Sequence, residues 1–146
     1  QKAHGEGMDV SIETITKENT DLLESVAEDV FDNDVSFEYL SSYLKQSNHI
    51  LCVAVVNGRV VGQVRAIIHQ HPDNPPELYI DNAGVTKSLQ RQGIAKSLVM
   101  EVVHEGRVRG CADIWVGTEA DNEPAKALYR SFGLDMTVMT MFDGEL

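Results

Sequence analysis

A polar stretch that ends in Gln90-Arg91-Gln92-Gly93 joins two apolar segments of different periodicity. The segment before it, Glu77 to Ala83, is typical of a strand. The segment after it repeats like a helix with one buried face: Ile94, Ala95, Leu98, Val99, Val102 and Val103. The first N–H groups of a helix lack intrahelical partners and the helix dipole favours negative charge, so this position predicts an anion site. Gly93 lets a ligand approach the backbone because it carries no Cβ.

The charges of the chain are unevenly distributed, in a way that supports such a site. The net charge is −11, and residues 18–38 hold eight acids and no Lys or Arg. Residues 86–110 instead carry a local charge of +3: Lys87, Arg91, Lys96, Arg107 and Arg109 against Glu101 and Glu105. A basic segment beside the loop favours a polyanionic cofactor, and the alternative is that these charges lie on solvated helix faces.

Length and composition indicate a single globular domain. With 146 residues, 42% of them apolar, the chain is long enough for one hydrophobic core. No apolar run approaches the roughly 20 residues of a membrane span, and the acidic balance argues against nucleic acid as a partner. Cys52 and Cys111 lie in apolar runs and are expected to be reduced, which predicts a cytoplasmic protein. Residues 1–7 are interpreted as an expression remnant, so the expected domain is 8–146.

Periodicity predicts an α/β protein with four helices and five strands. Helices are expected at residues 20–31, from about Ser36, after Gly93 and between Asn122 and Gly133. Strands are expected at residues 50–56, 59–69, 77–85, 112–117 and 137–142. Asn57-Gly58 predicts a type I′ hairpin turn. Three methionines near the end are expected to fill the core: Met136, Met139 and Met141.

Two motifs resemble those of one family. The loop Gln90 to Ala95 fits Q/R-x-x-G-x-G/A, and Asn122 to Gly133 is similar to N-x-x-A-x-x-L-Y-x-x-x-G. Both patterns are typical of the GNAT superfamily of acetyl-CoA-dependent N-acetyltransferases, and the order of the elements from about Ile50 to Phe142 is that of the GNAT fold. The resemblance implies an α/β (α+β) protein with a mixed central sheet of about six strands and four helices. The short tail after Gly133 resembles small aminoglycoside 3-N-acetyltransferases, a likeness that implies a role in antibiotic resistance.

The resemblance implies a binding mode for acetyl-CoA. Backbone N–H groups of the loop would surround the pyrophosphate: Gln90, Arg91, Gln92, Gly93, Ile94 and Ala95. The main chain around Ala83, Gly84 and Val85 would pair with the pantetheine arm as an added strand would. Asn122 and Tyr129 would contact the cofactor from the other side.

The resemblance also implies catalytic roles. Tyr129 matches the family tyrosine that donates a proton to the leaving sulfur, although it shares an apolar face with core residues. Asp81, four residues before Val85, matches a proposed base, with Glu77 as the second choice and a surface charge as the alternative. An ordinary Asp pKa of about 3.9 against about 10.4 for the amine corresponds to roughly 9 kcal/mol. We therefore interpret Asp81 as a positioning group and a base that acts through water.

The resulting hypothesis is an N-acetyltransferase that acts by direct transfer in a ternary complex on a small cationic amine, such as an aminoglycoside or a polyamine. Asp32, Asp34 and Asp81 are expected to bind this acceptor. The alternatives are acetylation of a protein N-terminus or lysine, and a non-catalytic module that binds acyl-CoA. A homodimer is left open. No metal is expected, because H-E-x-x-H and paired C-x-x-C are absent and His69 and His71 are interpreted as loop residues.

Overall fold

A computed structural model describes residues 2–5 and 8–146 of the chain, and for residues 2–5 it describes the backbone alone. Residues 1, 6 and 7 of the expected expression remnant lie outside this part. The described residues contain one six-stranded sheet, in which strands that follow one another in sequence are neighbours in space. Only the last pair is parallel. The predicted mixed α/β architecture is thereby confirmed.

The elements are given in chain order. The strands are β1 Lys2–Gly5, β2 Met8–Thr14, β3 His49–Val56, β4 Arg59–His69, β5 Glu77–Val85 and β6 Asp113–Val116. The α-helices are α1 Phe37–Leu44, α2 Ile94–Val108 and α3 Glu123–Ser131, and short 3-10 turns cover Thr20–Glu24 and Lys87–Leu89. None of the helices in residues 8–146 is long and apolar enough to cross a membrane.

Each face of the sheet buries its own apolar cluster because side chains alternate along the strands. One face packs against α2 and α3, through residues that include Leu98, Val102 and Tyr129. The other face packs against the segment that contains the 3-10 turn and α1, through Leu23, Val30 and Leu40 among others. The sheet thus separates a helical layer on one side from a largely irregular layer on the other. This second layer, residues 18–44, is called the acidic layer below.

The local signals at the turns are confirmed. Asn57 and Gly58 have φ values of 50° and 77°, as a type I′ turn requires. Ser36 begins α1 by accepting a hydrogen bond from the backbone N–H of Tyr39, at 3.2 Å. Gly133, with φ 79°, follows α3 as predicted.

Cys52 and Cys111 are both free thiols.

The helix predicted at residues 20–31 is wrong. Only Thr20–Glu24 is helical, as a 3-10 turn, and the chain then runs alongside β4. The N–H of Ala27 donates to the carbonyl of Val60, whose own N–H donates to the carbonyl of Ser25. These bonds replace the helical ones, and the apolar residues at helical spacing are buried without a helix. The structure therefore has three α-helices in its described residues where four were predicted.

Two predictions about the ends of the domain also need correction. The strand predicted at residues 137–142 does not form, because an extended segment needs a ladder partner and no described strand pairs with these residues. The methionines expected in the core are exposed: Met136, Met139 and Met141. Conversely, β2 was not predicted, although Val10 and Ile12 alternate with polar residues and are buried against β3.

Candidate functional site

A bulge in β5 puts two polar side chains on the same face of the sheet. Arg65 of β4 lies opposite Asn82 and Ala66 lies opposite Ile80, so Asp81 is the additional residue. Asp81 contacts Arg65, and Asn82 contacts Gln63, which precedes Arg65 by two residues on β4. Both side chains therefore point to the acidic layer. Simple alternation predicts a shared face for Asp81 and Tyr79, but it does not predict that Asn82 joins them.

The bulge coincides with the point where the two parallel strands separate. The pairing of β5 with β6 covers only Glu77 to Ile80, opposite Asp113 to Val116. From Asp81 to Val85, β5 pairs with β4 on one side and, among the described strands, with none on the other. This half-strand offers peptide groups along a free edge, to which an extended chain of amides can add. It contains Ala83, Gly84 and Val85, the positions assigned to the pantetheine arm.

The free edge is followed by the 3-10 turn Lys87–Leu89 and a short loop, which lead to the N-terminus of α2. Gly93 precedes the helix in a left-handed conformation, with φ 80°. A Cβ placed on Gly93 would meet nothing within 4 Å, so the space in front of the helix is open. The first intrahelical bond runs from the N–H of Ser97 to the carbonyl of Gly93, and no side chain of the described residues caps the helix. The N–H groups of Ile94 and Ala95 are therefore directed at an open anion site.

This combination fits CoA. A pyrophosphate needs N–H donors and positive charge. The N–H of Gln90 donates to the carbonyl of Lys87 at 3.4 Å, so the loop offers donors from Arg91 to Ala95. The basic side chains nearby are Lys87, Arg91 and Lys96. The pantetheine arm carries amides and needs a strand edge, which lies next to the loop. Arg91 has φ 66°, a second left-handed residue in the loop. Two such residues within three positions give the loop the tight turn that brings the helix next to the edge.

Asp29 attaches the acidic layer to the loop at residues 86–93, which joins β5 to α2 and is called the anion loop below. Its carboxylate accepts a hydrogen bond from Thr86 Oγ1 at 2.6 Å and another from the N–H of Lys87 at 2.8 Å. These two bonds hold the pKa of Asp29 below its usual value. The sequence alone did not identify Asp29, because it is one of eight acids at residues 18–38 and the pattern does not indicate which residue it contacts.

Asp32 and Asp34 line a cavity of about 240 Å³ next to this attachment. The cavity lies between α1 and β4, and Tyr39, Tyr43 and Arg65 contribute to its wall. The structure thus brings the two predicted acceptor-binding acids to one concave surface. It places a guanidinium there as well, so the cavity offers both signs of charge.

Asp81 lies at the edge of this cavity, through its ion pair with Arg65. The Nε of Arg65 donates to Oδ2 of Asp81 at 3.1 Å, and the two side chains are 38% and 22% exposed. The other carboxylate oxygen, Oδ1, is buried and has no hydrogen-bond partner among the described residues. Burial and then the charge of Asp81 raise the pKa of Tyr43 well above its usual value. Asp81 therefore keeps one oxygen available for a bound water or an acceptor.

A hydrogen-bond chain connects the bulge to the acidic layer. Gln63, fully buried, donates through Nε2 to Asn82 Oδ1 at 2.6 Å and to the carbonyl of Val30 at 3.2 Å. Asn82 in turn donates to Asp32 at 3.4 Å. Gly84 is packed so closely that a Cβ on it would lie 2.5 Å from the carbonyl oxygen of Val30. The segment that carries Asp32 is therefore held against the part of β5 that follows the bulge.

An aromatic pair lies on the same face of the sheet as Asp81. Tyr79 and Trp115 are directly opposite each other on β5 and β6, and their rings stack with centroids 4.1 Å apart. Trp115 is 38% exposed. An aromatic face of this kind attracts a cationic ligand through its quadrupole.

Tyr129 and Asn122 belong to α3. Tyr129 is 9% exposed in the cluster that also contains α2, and burial raises its pKa. Its hydroxyl makes no hydrogen bond to any described residue. Asn122 caps the helix, since Oδ1 accepts from the N–H of Ala125 at 3.1 Å. The capping bond leaves the amide NH₂ of Asn122 free for another contact.

Glu77 lies apart from this site. It begins β5, four residues before Asp81, and its Oε1 is 3.4 Å from Nε2 of His71. Four residues of strand span about 13 Å. The structure therefore brings Asp81, Asp32 and Asp34 together and leaves Glu77 at the opposite end of the strand.

Comparisons with known proteins agree with this geometry. The acetyltransferase (GNAT) family model matches residues 14–134. Among curated proteins, N-acetyltransferase 8 of Homo sapiens is 32% identical over 102 residues, which are 69% of this chain and 45% of that protein. The alanine N-acetyltransferase of ribosomal protein bS18 from Escherichia coli is 36% identical over 59 residues, 40% of each chain. The chain thus spans about half the length, or less, of the curated relatives it matches.

Solved structures share the whole fold. The aminoglycoside acetyltransferase HMB0005, from an uncultured soil metagenomic sample, has a TM-score of 0.78 at 25% identity, over 94% of this chain and 98% of that one. The aminoglycoside N-acetyltransferase AAC(6')-Iy in complex with CoA has a TM-score of 0.77 at 19% identity, over 95% and 96% of the two chains. The family match covers most of the chain and includes both motifs. This chain therefore belongs to the acetyltransferase (GNAT) family.

Proposed function

We propose that this protein is an acetyl-CoA-dependent N-acetyltransferase that acts by direct transfer to a primary amine of a small cationic acceptor, such as an aminoglycoside or a polyamine. One observation carries the proposal: the unpaired half of β5 is connected by one short loop, residues 86–93, to the open N-terminus of α2. Strand edge and anion site are adjacent, and CoA needs both. The family of the chain and the CoA complex of a structural neighbour support the same cofactor.

The cofactor would supply the acetyl group as an activated thioester. The N–H groups from Arg91 to Ala95 would bind its pyrophosphate, and the edge at Ala83 to Val85 would orient its amide arm. Gln90 already donates through Nε2 to the carbonyl of Val85 at 3.0 Å, which links the two parts. Asn122 would contact the cofactor through its free amide.

Two side chains would carry out the proton transfers of the reaction. The hydroxyl of Tyr129 keeps its proton at neutral pH because burial raises its pKa, and this proton would be donated to the departing sulfur. Oδ1 of Asp81 has no partner among the described residues, so it would hold the water that accepts the proton of the amine. The Arg65 ion pair fixes the orientation of that carboxylate.

The acceptor would enter from the acidic layer. Asp32 and Asp34 would attract its ammonium groups to the cavity, and the stacked Tyr79 and Trp115 offer a flat cation-binding surface on the same face. This supports a cationic acceptor. The relatives include aminoglycoside acetyltransferases, which act on polycationic molecules, although similarity at this level extends to the fold rather than to the acceptor.

Arg65 supports a second candidate, acetylation of an α-amine in an amino acid or at a protein N-terminus. It is the one guanidinium that lines the cavity, and only its Nε is used in the ion pair with Asp81. Its remaining N–H groups can bind a carboxylate or carbonyl of the acceptor. The alanine N-acetyltransferase from Escherichia coli is a relative with a peptide acceptor.

Binding of CoA tests the proposal. CoA binds the native state only, so it should raise the Tm of the protein. Gly93→Ala should remove most of this shift, because a Cβ then projects into the open anion site. Gly110→Ala is the matched control: Gly110 has φ 88°, lies just past the other end of α2 and also has no neighbour within 4 Å of an added Cβ. Both variants carry similar backbone strain, about 1–2 kcal/mol.

An equal CoA response in Gly93→Ala and Gly110→Ala would contradict the anion-site assignment. A normal CoA response without release of free thiol from acetyl-CoA, over a broad panel of amines, would instead favour the non-catalytic module. The two results distinguish failure of the site from failure of the reaction.

A further inference from the structure

We propose that His69, His71 and Glu77 form a binding site for a divalent transition-metal ion of the Zn²⁺ class, at the end of the sheet remote from the anion loop. One potential ligand atom from each of the three residues lies within 4.8 Å of the other two. The residues come from three different places: the end of β4, the loop at 70–76 and the start of β5. Neither the acyl-transfer site nor its cofactor uses them.

The backbone fixes two of the three positions. His69 and Glu77 are directly opposite each other in the antiparallel ladder of β4 and β5. Such cross-strand neighbours have Cβ atoms about 5 Å apart, so their side chains can share a ligand. The hydrogen-bonded ladder of the sheet therefore holds two of the three proposed ligands in place.

The loop returns the third residue to this pair. His71 Nε2 lies 3.4 Å from Glu77 Oε1. The ring of His71 is tilted by 39° against that of His69, with centroids 4.3 Å apart. The side chains of His71 and Glu77 are 26% and 29% exposed, so the ligand atoms sit in a partly covered place. His69 is exposed and leaves the site accessible to an ion from solution.

The distances suit a tetrahedral ion. Zinc binds imidazole nitrogen and carboxylate oxygen at about 2.0–2.2 Å, which separates ligand atoms by about 3.4 Å in a tetrahedron. The His71–Glu77 distance of 3.4 Å already has this value. The other separations do not exceed 4.8 Å, an excess of about 1.4 Å over the tetrahedral value, which side-chain rotation can remove.

The ligand set also selects the kind of ion. Two imidazoles and one carboxylate suit Zn²⁺, Ni²⁺ or Cu²⁺, whereas Mg²⁺ and Ca²⁺ prefer sets made only of oxygen. Three protein ligands leave a fourth position for water or for a neighbouring side chain. Cys111 belongs to the segment that runs past this end of the sheet, since the N–H of the next residue, Ala112, donates to the carbonyl of Pro76 at 3.1 Å. Asp113 lies opposite Glu77 on β6.

The expected consequence is structural. An ion at this site would fasten the loop at 70–76, with its three prolines, to the ends of both strands. Asp81 is four residues away along β5, about 13 Å, so the ion would not reach the transferred group. The sequence shows only the spacing His69-x-His71, because the third ligand follows the loop and is brought close only by the register of the strands.

Titration of the full chain with ZnCl₂ tests the proposal, after removal of metals with a chelator. Calorimetry should show one ion per chain, and the Tm should rise with Zn²⁺ but not with Mg²⁺ or Ca²⁺. His71→Ala should weaken Zn²⁺ binding about 100-fold or more, since a ligand is lost. His104→Ala, on α2, is the matched control and should bind as the unmodified protein does.

The Tm rise with CoA should be the same in His71→Ala and in the unmodified protein, which shows that the variant is folded. Absence of Zn²⁺ binding, or equal binding in His71→Ala and His104→Ala, would overturn the proposal. Loss of binding in Cys111→Ser together with full binding in His71→Ala would also overturn it, because the thiol would then be the principal ligand.

Discussion

Arg65 Nε donates to Asp81 Oδ2 at 3.1 Å, across a pair of strands whose register changes at that point. The bulge is the reason that the two side chains meet. It also marks the end of the pairing between β5 and β6, so the ion pair lies where the sheet opens. Asp81, the group proposed to accept the proton of the acceptor amine through water, therefore lies where the free strand edge for the cofactor begins.

Asp81→Asn should lower kcat by about 100-fold or more, because the amide cannot accept a proton through water. CoA binding should be unaffected, since the cofactor is assigned to the edge and the anion loop. Steady-state kinetics and the Tm shift with CoA measure the two effects separately. Unchanged kcat in a folded variant would return Asp81 to a surface role.

Arg65→Gln separates the two acceptor classes. For a polyamine or an aminoglycoside, KM should fall or stay constant, because a positive charge is removed from the cavity. For an amino acid or a peptide, KM should rise about 10-fold or more, since charge-assisted hydrogen bonds of about 1.5–3 kcal/mol are lost. A rise for polyamines and no change for amino acids would contradict the assignment of Arg65 as an anchor for carboxylates or carbonyls.

Tyr129→Phe removes one hydroxyl and leaves the packing of the buried ring in place. We expect kcat to fall by about 100-fold while CoA affinity is retained. The pKa of Tyr129 is raised above its ordinary value of about 10, so the hydroxyl remains protonated throughout the neutral range. The loss should therefore be the same from about pH 6 to pH 9. A variant with normal turnover would show that Tyr129 acts only in packing.

Gly84→Ala should destabilise the fold by about 1–3 kcal/mol, because the new Cβ would lie 2.5 Å from the carbonyl oxygen of Val30. The strain should push the acidic segment from β5 and raise acceptor KM as well. Gly117→Ala is the control: an added Cβ there meets nothing within 4 Å and the residue has no positive φ. Denaturant unfolding of the two variants compares the effects, and equal stability would exclude the close packing seen at Gly84.

Asp32→Asn with Asp34→Asn should raise KM for cationic acceptors and leave CoA binding unchanged. Attraction between exposed charges is screened over about 8 Å at physiological ionic strength. In the unmodified protein, kcat/KM should therefore fall as salt is added, more steeply for polyamines than for monoamines. The double variant should lose most of this salt dependence. If salt has the same effect on both proteins, the acids form only a solvated surface.

The local geometry of the loop before α2 was predictable from sequence because it depends on neighbouring residues. A glycine between a strand and an amphipathic helix places free N–H groups at a known position, and Gly93 has the conformation that this requires. The Asn57-Gly58 turn was predictable for the same reason. The helix predicted at 20–31 failed because its apolar spacing fits burial against β4 equally well. The hydrogen bonds of Ser25 and Ala27 to Val60 select the non-helical conformation, and these bonds depend on residues that are distant in the sequence.

The acceptor side could be predicted only in part. The excess of acids at 18–38 indicated a cation-binding surface, but nothing in the sequence pairs Asp29 with Thr86 or Arg65 with Asp81. These contacts depend on the strand register after the loop at 70–76 and on one additional residue in β5. A bulge shifts the register by one residue and leaves no mark in the hydrophobic pattern.

The most direct test of the central claim is release of CoA thiol from acetyl-CoA in the presence of amines, with the acetylated product identified by mass spectrometry. The panel should contain polyamines, aminoglycosides, amino acids and short peptides. We predict release that depends on the amine, obeys ternary-complex kinetics and is lost in Gly93→Ala and in Tyr129→Phe. Release at the same rate in those two variants, or release that no amine accelerates, would contradict the account.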